Sequence, residues 1–205
     1  MYSSTLELDT ELSAVNSVLS AIGQAPVTTL NFENPEISTI HNMLMETTRD
    51  VLNEGWVFNR EQNYPLTPDE NGHIAFPPNV LRLDMSDNYR IRETDVVRRN
   101  GYLYDKIKHT DVWDQKTYHF DIVWSWEYED LPSVFQRYIT HRTAMRAAAQ
   151  LIGNSEMVQL MSGQEVMLRT ACLEYECNQG DYTMFGHPDG SNYQPYSAFK
   201  ALQRL

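Results

Sequence analysis

The chain has 205 residues, enough for one well-buried core or two small units, and its 41% hydrophobic and 21% charged residues lie in the globular range. Sixteen Lys and Arg against 28 Asp and Glu leave a formal charge of −12, which argues against a general nucleic-acid-binding surface. No apolar run reaches the ~18 residues needed to span a bilayer, and the acidic start "MYSSTLELDTEL" lacks the basic residues of a signal peptide.

In chain order, "ELSAVNSVLSAIGQAPVTTL" puts Leu12, Val15, Leu19 and Ile22 on one helical face, with Asp9 or Thr10 as cap and Gly23 and Pro26 as terminators. A helix this short is marginal alone, so its apolar stripe is expected to dock on later helices. The next helix begins at Asn34, a cap candidate, with Pro35 in the first turn. Ile37, Ile40, His41, Leu44, Val51 and Leu52 follow at helical spacing until Gly55.

From Trp56 to Tyr128, Gly and Pro punctuate short runs of β-formers: "WVFN", "HIAFPPNVLRLD", "DVVRRNGYLYD" and "TYHFDIVWSWEY". In "RNGY" the Asn-Gly pair suits the positive φ angles of a type I′ turn, so Val96 to Arg99 should pair with Tyr102 to Asp105. Strand alternation in the last run predicts one aromatic and apolar face of Phe120, Ile122, Trp124, Trp126 and Tyr128.

Helical periodicity returns after "EDLP". One helix is predicted from Pro132 to Gly153, with Phe135, Tyr138, Ile139, Met145, Ala149 and Ile152 inward. A second, capped by Ser155, should run to about Asn178 with Met157, Leu160, Met161, Leu168, Cys172 and Tyr175 inward and Gly163 as a weak point. The last stretch, "DYTMFGHPDGSNYQPYSAFKALQRL", reads as an extended arm. The predicted class is α+β: a four-helix bundle from residues 1–55 and 130–180, an inserted antiparallel β domain at 56–129, and a C-terminal arm at 181–205.

Chemistry is scarce. There is no phosphate-binding glycine loop, dinucleotide fingerprint, Gly-x-Ser-x-Gly elbow or His-Glu-x-x-His helix. The six histidines form no ligand-spaced pair on one element. Cys172 and Cys177 lie about 140° apart round a helix, which disfavours a disulfide and points to no metal site. Acids beside Trp124 and Trp126, namely Glu127, Glu129 and Asp130, are the one place where a sugar-stacking platform and carboxylates coincide. A packed strand ending in a solvated turn explains them more simply.

Eight of the 16 cations fall between residues 82 and 116, where seven acids nearly balance them. Arg98 and Arg99, opposite Tyr102 and Tyr104, suit a solvated strand edge, a protein interface or a nucleic-acid contact.

The markers "ELSAVNSVLSAIGQAPVTTL", "NEGWVFN", "RNGYLYD", "DLPSVFQRYIT" and "CLEYE", spread from about Leu12 to Met184, make the chain resemble the tail tubular protein A family of short-tailed bacteriophages. The resemblance implies a virion structural protein without cofactor or catalytic residues. On that resemblance the chain would be the head-to-tail adaptor, a subunit of a dodecameric ring between the portal protein and the tail nozzle protein, with tail fibres as a further neighbour. Genomic DNA would pass through the lumen without specific binding. The fold implied is a helical bundle bearing an inserted β domain. On this reading Arg98, Arg99, Tyr102, Tyr104, Trp124 and Trp126 are candidate subunit or nozzle contacts. Tyr182, Met184, Phe185, Tyr193, Tyr196 and Phe199 are candidate portal contacts of the arm. Saccharide degradation, proposed for some relatives, and a DNA-contacting gatekeeper role are the alternatives.

Overall fold

The computed structural model describes residues 10–86 and 94–180, so the arm, the cap candidate Asp9 and the cations Arg90 and Arg92 lie outside the described residues. The fold is α+β, with helices at both ends of the described chain and strands between them.

Helix α1 spans Glu11–Ala21 and is capped by Thr10, whose hydroxyl accepts from the Ser13 N–H. Gly23, at φ 78°, ends it, and the Asn16 side chain ties down the following loop by bonds of 2.9 and 2.7 Å to the Val27 backbone. Helix α2, Pro35–Leu52, has the expected Asn34 cap, which accepts from Glu36 N–H, and Pro35 in the first turn.

The run "WVFN" is not a strand. Trp56 is pulled into the helical core, so Val57–Asn59 forms one 3₁₀ turn before strand β1, Arg60–Leu66, begins. Strand β2 is Val80–Met85, β3 Val96–Arg99, β4 Tyr102–Asp105 and β5 Tyr118–Trp124. They make an antiparallel sheet ordered β1-β5-β2 and a separate β3-β4 hairpin. The hairpin has the expected register, Arg99 opposite Tyr102, with Asn100 at φ 50° and Gly101 at φ 83° as a type I′ turn requires.

Strand β5 stops at Trp124, four residues short of the predicted aromatic strand. Ser125 N–H still bonds the Asn79 carbonyl at 2.7 Å. The chain then turns, and Tyr128 enters the helical core, where its hydroxyl meets the Thr140 hydroxyl at 2.8 Å. Trp126 and Tyr128 therefore do not extend the strand's apolar face.

Helix α3, Ser133–Ala147, is followed by a π-helical turn, Ala148–Ile152, which Gly153 closes at φ 71°. The wider turn shifts the face of the helix, leaving Ala149 and Ile152 exposed rather than inward. Helix α4, Ser155–Gly180, is capped by Asn154 rather than Ser155: the Asn154 Oδ1 accepts from both Glu156 and Met157 N–H at 3.1 Å. Leu160, expected inward, is 78% exposed.

Helix α3 lies at the centre of the helical part and packs against α1, α2 and α4. Two apolar cores result. One joins the helices with Trp56, Tyr128 and Leu131; the other joins Ile74, Leu103, Trp113, Phe120 and Ile122 of the β region.

Candidate interaction surfaces and the junction between the cores

The two cores meet at "NEGWVFN", residues 53–59. Its roles are set by backbone geometry and by partners distant in sequence. Gly55, at φ 80°, brings the backbone so close to β2 and β5 that an added Cβ would meet Arg82 Nη2 at 3.0 Å and Val123 Cγ2 at 3.2 Å. The Trp56 indole N–H donates to the Val51 carbonyl at 2.8 Å, and its ring meets Phe135 edge-on at 4.8 Å. Val57 N–H donates to Glu176 of α4 at 2.8 Å.

Asn59, 1% exposed, holds both sides of the junction. Its Nδ2 donates to the carbonyls of Leu52 at 2.9 Å and Trp124 at 2.8 Å, and its Oδ1 accepts from Trp56 N–H at 2.8 Å. The last turn of α2 and the end of β5 are thus joined through a single side chain.

Arg169 of α4 closes the same region. Its guanidinium forks onto Glu54, 2.8 Å at Nη1, and lies over the rings of Trp56 at 4.9 Å and Tyr138 at 5.7 Å. The hydrogen bond to Glu54 raises the arginine's already high pKa further against the opposing effect of burial. Cys172, one turn on, is fully buried, and burial pushes its thiol up to about 11; Cys177 is exposed. Of the two cysteines, only Cys172 is a core residue.

The predicted contact residues are brought together only in part. Residues 97, 99, 102 and 104 share the outer face of the β3-β4 hairpin, because alternate residues of paired strands point the same way and Val96 and Leu103 point into the core. Arg99 lies over the Tyr104 ring at 3.9 Å, and Tyr102 is 40% exposed. Arg98 is on the opposite face but reaches the Phe76 ring at 4.9 Å.

Trp124 belongs elsewhere, packed edge-on against Tyr64 at 5.4 Å, with Trp126 at 6.2 Å and tilted by 37°. The two tryptophans do not make a flat platform. Among the described residues, no three His, Cys, Asp or Glu side chains cluster as a metal site, and no helix is long and apolar enough to cross a membrane.

Sequence reasoning missed a groove of about 570 Å³ between α1, α3 and α4, lined by Ser17, Ala144, Met161 and Met167 among others. It also missed the exposed apolar side of α4. Half the large hydrophobic side chains exposed among the described residues lie between Leu151 and Leu173.

Two apolar cores, one helical and one in the β region, each with exposed apolar side chains nearby, define an α+β protein that offers surface for other chains to cover. Residues 12–182 match the tail tubular protein family, and the chain belongs to it. It is therefore a structural component of a bacteriophage tail, which assembles with other tail proteins. Among curated proteins it is similar to tail tubular protein A of Klebsiella phage KP34, with 27% identity over 146 residues, 70% of this chain and 74% of that one.

Proposed function

We propose that the chain is the head-to-tail adaptor of its virion: a subunit of a dodecameric ring that sits between the portal and the tail nozzle protein and lets genomic DNA pass. The observation that carries this reading is the family match, which spans the helices and the β region alike rather than one of them. In this reading the four helices act as one bundle around α3. Residues 56–129 act as the inserted β domain, and residues 181–205, outside the described part, act as the arm that reaches the portal.

Charge supports passage rather than grip. Outside residues 82–116 the chain has eight cations against 21 acids, and an acidic lumen would repel phosphate at short range, with salt screening the field beyond about 8 to 10 Å. Arg98 and Arg99 lie on opposite faces of the hairpin, over the rings of Phe76 and Tyr104, so they do not line one track for a phosphate backbone.

Electron microscopy of the purified protein, alone and mixed with portal, tests the proposal. Rings of uniform symmetry docked on portal are the expected outcome. A protein that neither forms rings nor binds portal overturns it.

A further inference from the structure

The proposed ring requires a heterologous interface, in which two different patches of one chain meet on neighbouring copies. Two patches stand out, and each has a pattern that answers the other.

The first is on α4. At 100° per residue, Glu156, Leu160, Met167 and Glu174 fall within a stripe about 40° wide, roughly 140° round the helix from the buried Cys172. Leu160 and Met167 are 78% and 75% exposed, and both glutamates are exposed without a cationic partner among the described residues. The stripe is about 27 Å long: apolar in the middle, acidic at both ends. It borders the groove through Met167. A helix that is apolar well beyond the face its own fold covers is ordinarily buried by something else.

The second is the hairpin. Its outer face carries Val97 and Tyr102, 36% and 40% exposed, with Arg99 at the tip end. Ile107 and Lys108 lie in the turn beyond β4, at the opposite end, and both are exposed. Neither the Arg99 guanidinium nor the Lys108 ammonium has an ion-pair partner among the described residues, whereas the neighbouring Lys106 is paired with Asp95 at 2.6 Å. This patch sets apolar side chains beside two cations, Arg99 over the Tyr104 ring and Lys108 in the turn beyond β4. It belongs to the β core and the α4 stripe to the helical part, so they are separate surfaces of one chain.

We propose that the outer face of the β3-β4 hairpin of one copy docks on the Glu156–Glu174 stripe of α4 of the next. This pairing rests on the ring reading above and names the surfaces that would close it. Glutamates on one surface and cations on the other draw the two together, and the apolar side chains beside them supply the area removed from water.

Sedimentation of the full chain over a range of concentrations, with circular dichroism to check folding, tests the pairing. Arg99→Glu with Lys108→Glu should weaken self-association by about tenfold or more, and so should Glu156→Lys with Glu174→Lys. Combining all four should restore it to within about threefold of the unmodified chain, because the charges are then exchanged rather than lost. Leu160→Ser with Met167→Ser, which leaves every charge in place, should also weaken it. The pairing is overturned if these variants associate like the unmodified protein, if the fourfold exchange brings no recovery, or if the unmodified protein stays monomeric at its highest soluble concentration. Images of assembled tails separate the two readings: rings in the tails alongside any of those results leave the adaptor reading standing, and tails without rings remove both.

Discussion

Replacing Asn59 by Ala removes three buried hydrogen bonds at once, to Leu52, Trp124 and Trp56. Each is worth about 0.5 to 1.5 kcal/mol net, and a stranded buried group costs more. The Leu52 carbonyl keeps a second partner, the Gly55 N–H at 3.1 Å, so its loss is mild. The Trp124 carbonyl and Trp56 N–H carry the larger share. The expected loss is about 3 kcal/mol, or roughly 6 to 12 °C in Tm for a chain of this size. Urea unfolding measures the free energy, and hydrogen exchange at the Trp56 amide reports the break locally. Asn59→Asp should be worse than Ala at neutral pH, since it keeps the acceptor for Trp56 but turns a buried carboxylate on two carbonyls. That excess should shrink as acid protonates the carboxyl. A loss below about 1 kcal/mol for Ala, or equal losses for Ala and Asp at neutral pH, would refute the view of Asn59 as the clamp between the two cores.

The remaining predictions concern α4. Arg169→Met should cost about 1 to 2 kcal/mol, the charge part being modest because both Arg169 and Glu54 are about one-third exposed, 33% and 36%. Arg169→Lys should recover less than half of it, since an ammonium lacks the fork and the flat stacking surface; thermal melts at low and high salt check both. Thiol labelling of the native chain should modify Cys177 quickly and Cys172 only on unfolding. Because the folded Cys172 thiol is raised from 9.0 to about 11, its contribution to stability is intact below pH 9 and is lost as the pH rises towards 11. A stability that rises across that window in the Cys177→Ser background, measured against Cys172→Ala to cancel other groups, would contradict this.

What was legible in the sequence was local. The Asn-Gly turn fixes the hairpin register through the φ preferences of two residues, and the Asn34-Pro35 start needs only its own first turn. The predicted aromatic strand is too long because alternation continues through Trp126 and Tyr128, while burial of Tyr128 against α3 turns the chain out of the sheet. The clamp was invisible for a related reason: Asn59 reaches Trp124 across 65 positions, and Arg169 reaches Glu54 across 115. Leu160, in the exposed stripe of α4, is predicted inward because apolar residues surround that helix, so periodicity does not single out the face that packs on α3. Of the contact candidates, only Arg99, Tyr102 and Tyr104 share one surface.

The junction at residues 53–59 has a geometric consequence for assembly. In the proposed ring, one contact surface lies on the helices and the other on the β insertion, so the angle between them sets the curvature of the growing oligomer. Every subunit repeats that angle, and a rotation of a few degrees, harmless in a single chain, adds up along the chain of neighbours until the last copy misses the first. A loosened clamp at Asn59 would then be felt first as spirals and incomplete arcs, before any loss of folded protein.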